Sequence, residues 1–279
     1  MRRRTARRPD GGTRPPWLIV PPALIGVVFI VLPTIGLLIR APWSGLARIY
    51  SRSDSSSQID VGAALSLSAI TSLIATAGSL VLGVPLAWVL ARTRWPGLSV
   101  LRAAVTMPLI LPPVVGGLAL LLTLGTHGVV GQHLFGWFGW EIPFTRVAIV
   151  LAQMFVAMPF LVVTMEGAFR TGDRGLEEAA ATLGASRSRT FTHVTLPLVL
   201  PSLAAGTVLC WARAFGEFGA TMIFAGSVIH HTQTGSTAIW LGFQASTEDA
   251  VALSLPMMLI AVLVLALLRD RWLRPGAVS

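Results

Sequence analysis

Six long apolar runs dominate this chain, and they constrain its fold more than any other feature. They cover residues 17–39, 61–91, 100–124, 147–165, 198–224 and 251–268. The first carries no charge; at about 1.5 Å per residue it reaches roughly 34 Å as a helix, enough to cross a hydrocarbon core. Inside lipid, every backbone N–H and C=O must be paired within the protein, which makes helices of such runs. The prediction is an all-α polytopic membrane protein of about six transmembrane helices. The second and fifth runs exceed what one crossing needs, so their ends are loosely defined. Gly78, Gly83, Pro85, Pro159, Pro201 and Gly206 fall inside runs. There, neighbouring helices re-satisfy the backbone and small residues permit close approach.

Charge supports this reading and gives it a direction. Only 12% of residues are charged, against roughly 25% in soluble domains, which is too few to coat a water-exposed globule. The net charge of +9 comes from arginine alone, because the chain has no lysine. The arginines are scattered between apolar runs with no aromatic–basic face, so nucleic-acid binding is set aside. With the N-terminus inside, sixteen of the 21 arginines fall in segments 1–16, 92–102, 170–195 and from 269 onward. Four fall outside (Arg40, Arg48, Arg52 and Arg146), and Arg213 lies within the fifth run. The positive-inside bias then places both termini in the cytoplasm. The basic prefix before residue 17 resembles that of a signal peptide. The apolar run, however, exceeds the roughly 7–15 residues of a signal core, and no small-x-small cleavage site follows. It is read as a retained first helix. The organisation is a basic cytoplasmic N-terminus (1–16), a transmembrane domain (17–268) and a cytoplasmic tail (269–279).

The external loops are too short for an independent domain. Residues 41–60 are rich in serine and aspartate, and residues 125–144 hold Trp137 and Trp140, suited to an interface belt. His127, His133, His230 and His231 lack the supporting acidic or cysteine spacing of a metal site and read as loop polarity. Glu166, at the inner end of the fourth run, is expected at the interface, with pairing to a nearby arginine as the alternative. Cys210 is the single cysteine and reads as a small core residue. The segments Pro108-Leu-Ile-Leu-Pro112 and Pro197-Leu-Val-Leu-Pro201 echo one another. Both are read as cytoplasmic helix starts, where proline is tolerated, and their likeness as coincidence.

One polar segment stands apart. From Gly175 to Pro197 the cytoplasmic side carries a strong helix former, Leu176 to Leu183, with Glu177 and Glu178 in its first turn, favourable to the helix dipole. Gly184 can turn left-handed to end it, and Ser186 can cap a second short helix through His193. The product is a helix–turn–helix elbow on the inner membrane surface. Its residues follow a spaced pattern: Glu178-Ala179-Ala180, three residues, Gly184, nine residues, Val194, Thr195, then Leu196-Pro197. This resembles the "EAA" loop of permease subunits in binding-protein-dependent ABC importers, departing only in valine where isoleucine is common. The resemblance implies a type I permease-like fold and a coupling loop, 175–197, that docks on a separate cytoplasmic ATPase.

The likeness extends over roughly residues 60–268. Arg213-Ala-Phe-Gly216-Glu217-Phe-Gly219-Ala220-Thr221 resembles the motif of molybdate and sulfate/thiosulfate permeases. Leu111-Pro112-Pro113-Val-Val-Gly116-Gly117 resembles the molybdate branch. The implied function is the permease of an ATP-driven importer for a tetrahedral oxyanion, molybdate first, with tungstate or sulfate/thiosulfate as alternatives. Its implied partners are a second permease copy, ABC ATPase subunits and an extracytoplasmic oxyanion-binding protein in a bacterial plasma membrane. Arg213 and Glu217 stand four apart, hence on one helix face. They form a bundle brace or, alternatively, Arg213 offers positive potential to the anion. Gly216 and Gly219 are expected to allow close helix packing. No Walker A motif is possible without lysine, so the chain is not a P-loop ATPase, and no cofactor is expected. Two rival classes stand beside this reading. An ion-coupled transporter needs buried carboxylates in several runs, whereas only Glu217 lies deep. A membrane enzyme needs a polar catalytic cluster, which the sequence does not offer.

Overall fold

The computed structural model describes residues 17–46, 50 and 59–272. The basic N-terminus 1–16, most of the Ser-rich loop and residues 273–279 of the tail lie outside the described residues. Twelve helices are labelled here: α1 Val20–Ile39, α2 Val61–Arg92, α3 Leu98–Ile110, α4 Pro113–Leu124, α5 Gly131–Phe138, α6 Arg146–Thr171, α7 Arg174–Thr182, α8 Arg187–Leu198, α9 Leu200–Phe215, α10 Gly219–Phe224, α11 Gly235–Ala245 and α12 Thr247–Trp272. No strand occurs among the described residues.

Four helices (α1, α2, α6 and the Thr247–Val264 part of α12) are long and apolar enough to cross a bilayer alone. The pairs α3–α4 and α8–α9 pass only together, bringing the number to six if each pair is one crossing. The expectation of about six crossings is met, but two of the six runs are not straight helices. The chain bends by 119° between α3 and α4 and by 73° between α8 and α9. Proline causes both bends. Pro112 and Pro113 cap and open α4, while Pro197 and Pro201 flank the α8–α9 break; lacking an N–H, proline cannot continue a helix ladder. The two Pro-Leu-x-Leu-Pro segments therefore lie across the sharp bends, which corrects their reading as simple helix starts.

The bundle is built around α6, which packs along α2 and α9 and touches α3, α4 and α10. Small residues make this possible. A Cβ on Gly206 would come within 3.1 Å of Leu161, and one on Gly83 within 3.3 Å of Met158 and Val162. The buried face of α2 carries Ser68, Thr71, Ser72, Thr76 and Ser79. Thr71 and Thr76 donate to the carbonyls of Leu67 and Ser72, four residues back, so these hydroxyls are satisfied inside a close-packed interface. A continuous core of Ala157, Leu161, Val162, Met165, Phe169, Leu90 and Ala214 follows. By contrast, α1 buries none of its residues, with Ile25 70% and Phe29 79% exposed. A helix apolar on every side is stable against lipid or another apolar surface, not against water.

On the other end of the bundle, α11 packs against α12, and Ser68 of α2 accepts from the Gly235 N–H at 2.8 Å. Tyr50 donates to the Ala252 carbonyl at 2.7 Å. Trp137, Phe138 and Trp140 on and after α5 are exposed and touch one another edge-on or tilted. His133 packs against Trp137, and His230 lies 3.7 Å from Asp60. Arg146 donates to the backbone carbonyls of His230 and His231.

Candidate functional site

The polar elbow forms as its sequence dictates. Asp173 caps α7 by accepting from the Gly175 N–H at 2.8 Å. The helix therefore starts two residues before the expected Leu176. It ends in a Schellman motif: Ala185 N–H donates to Ala180 O and Gly184 N–H to Ala181 O, both at 3.0 Å. Gly184 has the required positive φ of 84°, with open space around it. Ser186 then caps α8 by accepting from the Arg189 N–H. The second arm runs past His193 to Leu198 through a π-turn at Phe191–Thr195.

Each arm has a distinct role in the packing. Phe191 of α8 sets its ring edge-on to Trp88 of α2 and tilted against Phe169 of α6, each at 6.3 Å. Leu196 joins the same core, Val194 is half-buried and Pro197 is exposed. The first arm presents Glu178 and Ala179 outward, with Ala180 half-buried and Gly184 exposed at the turn. Leu183, at the tip, is 88% exposed.

Ion pairs secure the base of the elbow. Arg92, in the last turn of α2, donates through Nη2 to Glu177 Oε1 at 2.7 Å, and the Thr195 hydroxyl donates to that oxygen at 3.0 Å. Glu177 is thus the inward-facing acid and Glu178 the outward one. The sequence pattern singled out Glu178, whereas the anchoring role of Glu177 depends on Arg92, 85 residues away. Glu166 meets the alternative given beside its interfacial reading and pairs with nearby arginines. It is buried in α6 and neutralised by Arg102 and Arg170, both at 2.8 Å, while Arg102 also donates to Leu90 O. Burial of an unpaired carboxylate is costly, and two guanidiniums remove that cost.

Deep in the bundle, Arg213 and Glu217 form an ion pair. They are not on one helix, as their spacing suggested. α9 ends at Phe215, and Glu217, 1% exposed, sits in the break, where its Oε1 accepts from the Ala220 N–H at 2.9 Å. The carboxylate therefore cancels Arg213 and caps α10 at once. Gly219 packs closely, because a Cβ there would meet Pro113 at 3.0 Å and Val114 N at 3.2 Å. Gly216 does not: it is exposed, and its nearest neighbour would be Ala212 O of its own helix at 3.6 Å. It serves as the end of α9 rather than as a packing glycine. Thr221 is fully buried with an unpaired hydroxyl.

Comparison with known proteins places this geometry among characterised relatives. The family model described as "Binding-protein-dependent transport system inner membrane component" matches residues 79–274. The chain is 42% identical over 250 residues to the Molybdenum transport system permease protein ModB of Mycobacterium tuberculosis, covering 90% of this chain and 92% of that one. To the protein of the same name in Escherichia coli K12 it is 39% identical over 210 residues, covering 75% and 92%. Among solved structures, a chain of a bacterial alginate ABC transporter in complex with an alginate pentasaccharide-bound periplasmic protein superposes with a TM-score of 0.70. It covers 92% of this chain and 94% of that one at 18% identity, a likeness of fold.

Proposed function

This chain belongs to the family of binding-protein-dependent transport system inner membrane components, and from that premise we infer that it is the permease subunit of an ATP-driven molybdate importer. It is a multi-pass inner membrane protein. The likeness to the mycobacterial molybdenum permease along nearly the whole of both chains carries the substrate assignment.

Three physical arguments extend this reading to mechanism. The chain has no lysine, hence no Walker A site, and an ATP-driven importer built on it draws its energy from a separate ATPase. The elbow α7–α8 is the element suited to meet it: rigid, capped at both helix starts and tipped by exposed Leu183. The arginine-rich side is the cytoplasmic one, which puts both termini and the elbow there. A second copy of the chain completes the translocation path, and an extracytoplasmic molybdate-binding protein docks on the opposite face. Within the bundle, Arg213 and Glu217 act as a brace across the α9–α10 break. A neutralised pair does not hold a passing dianion tightly, and an importer has to release its cargo.

Uptake of radiolabelled molybdate into proteoliposomes holding the permease, its co-encoded ATPase and binding protein tests the assignment. Uptake that needs ATP and persists in excess sulfate is expected. Equal competition by sulfate would overturn the substrate, and ATPase-independent uptake the mechanism.

A further inference from the structure

Resting on that reading, we propose that Glu177 is a positioning residue whose ion pair with Arg92 fixes the angle of the docking helix α7 to the spanning helix α2. The two arms of the elbow are held unequally. α8 is bolted into the core by Phe191 and Leu196. α7 packs against α8 and its π-turn, and Glu177 ties it directly to Arg92 of a spanning helix. The two ends of that tie are unequally buried, Arg92 more deeply than Glu177. The Arg92 side chain is 9% exposed, and its buried Nε has no hydrogen-bond partner, so the guanidinium depends on Glu177 for its charge balance. Glu177 Oε1 also takes the Thr195 hydroxyl, locking α7 to the π-turn at the point where it meets α2.

This placement has a mechanical consequence. α2 is a helix of 32 residues that runs on through Pro85, about 48 Å long at 1.5 Å per residue. Its inner end holds α7 through Arg92, and Ser68 near its outer end accepts from Gly235 at the start of α11. A displacement imposed on α7 is therefore passed to a rod that reaches the opposite face of the bundle. Without the Glu177 carboxylate, α7 still presents Leu183 and Glu178 to a partner, but it swings on its Asp173 and Gly184 ends instead of pulling α2. Docking survives and force transmission fails.

The test uses the complete complex of permease, ATPase and binding protein in proteoliposomes, comparing wild type, Glu177→Ala, Glu177→Gln and the charge swap R92E/E177R. ATPase co-purification, ATP hydrolysis and uptake of radiolabelled molybdate are measured on each. In Glu177→Ala the ATPase should co-purify as in wild type, while molybdate moved per ATP falls by roughly threefold or more. Glu177→Gln, which keeps an acceptor but not the charge, should fall between, and the swap should recover most of the ratio. An unchanged ratio in Glu177→Ala overturns the proposal. So does loss of the ATPase from Glu177→Ala that the swap does not restore, because Glu177 would then hold the elbow's fold or its partner. A wild-type permease that fails to retain any ATPase would instead refute the functional reading itself, which separates the two failures.

Discussion

Glu217 pairs with Arg213 from the break between two helices, and the same carboxylate caps the short helix that follows. Removing it therefore costs twice: Arg213 loses its counter-charge and the Ala220 N–H loses its acceptor. Loss of one partner of a buried pair costs up to about 3–5 kcal/mol, and the partial exposure of Arg213 favours the lower end. Glu217→Ala and Arg213→Ala are each expected to destabilise, the second by stranding a carboxylate that is only 1% exposed, and the double variant less than the sum of the two. Thermal unfolding in detergent, followed by the monodisperse fraction on size exclusion, measures all three. If Arg213→Ala abolished molybdate uptake with stability unchanged, the brace would give way to a role in the path.

The cluster at Glu166 makes an asymmetric prediction. Glu166→Ala strands two arginines, one of them, Arg102, also tied to Leu90 O. Arg170→Ala removes an i,i+4 pair whose cation is half exposed, worth about 0.5 kcal/mol or less. The melting temperature should drop clearly for Glu166→Ala and barely move for Arg170→Ala.

Close approach of α4 to α10 depends on Gly117. A Cβ there would meet the Ala220 backbone at 2.6 Å (O) and 2.8 Å (Cα), atoms that cannot step aside. Gly117→Ala should destabilise by about 1–3 kcal/mol. Gly26→Ala, with nothing within 4 Å of the added carbon, serves as the control and should melt no lower than wild type.

How much of this was legible beforehand follows from the range of each interaction. The end of the first arm and the start of the second could be read because their determinants are local: Gly184 and Ser186 act within a few positions of themselves, whereas the Asp173 cap that starts α7 two residues early lies outside that reading. The six apolar runs were legible because length and hydrophobicity suffice to define them. The bends were not read, although their prolines stood in view, because a tolerated proline and a helix-breaking one have the same sequence; the packing of α4 on α10 decides between them. Spacing placed Arg213 and Glu217 on one helix face, and the pair formed, but through a helix end at Gly216 that a four-residue rule does not anticipate. Arg92–Glu177 and the Glu166 cluster join residues far apart in sequence, and nothing local announces them.

Gly184 separates backbone geometry from bulk. Its φ of 84° is disfavoured for any side chain, and the surrounding space is empty. Gly184→Val should cost about 1–2 kcal/mol of strain at the turn and misalign α7, lowering transport-coupled ATP hydrolysis. Gly184→Asn, which tolerates the left-handed region, should retain more coupling. The ratio of hydrolysis with binding protein to hydrolysis without it reports the difference, and equal ratios in the two variants would show that the turn's conformation is immaterial.

The central claim is that the elbow is a cytoplasmic handle gripped by a separate ATPase, and Leu183 at its tip gives the most direct access to it. In a Cys210→Ser background, Leu183→Cys carries the chain's one thiol. A short bifunctional cross-linker is applied to inner-membrane vesicles containing the co-expressed ATPase. The account predicts one dominant adduct joining the permease to the ATPase subunit, absent when the cysteine is moved to exposed Val129 in the α4–α5 loop. An adduct from Val129 but none from Leu183 would contradict it.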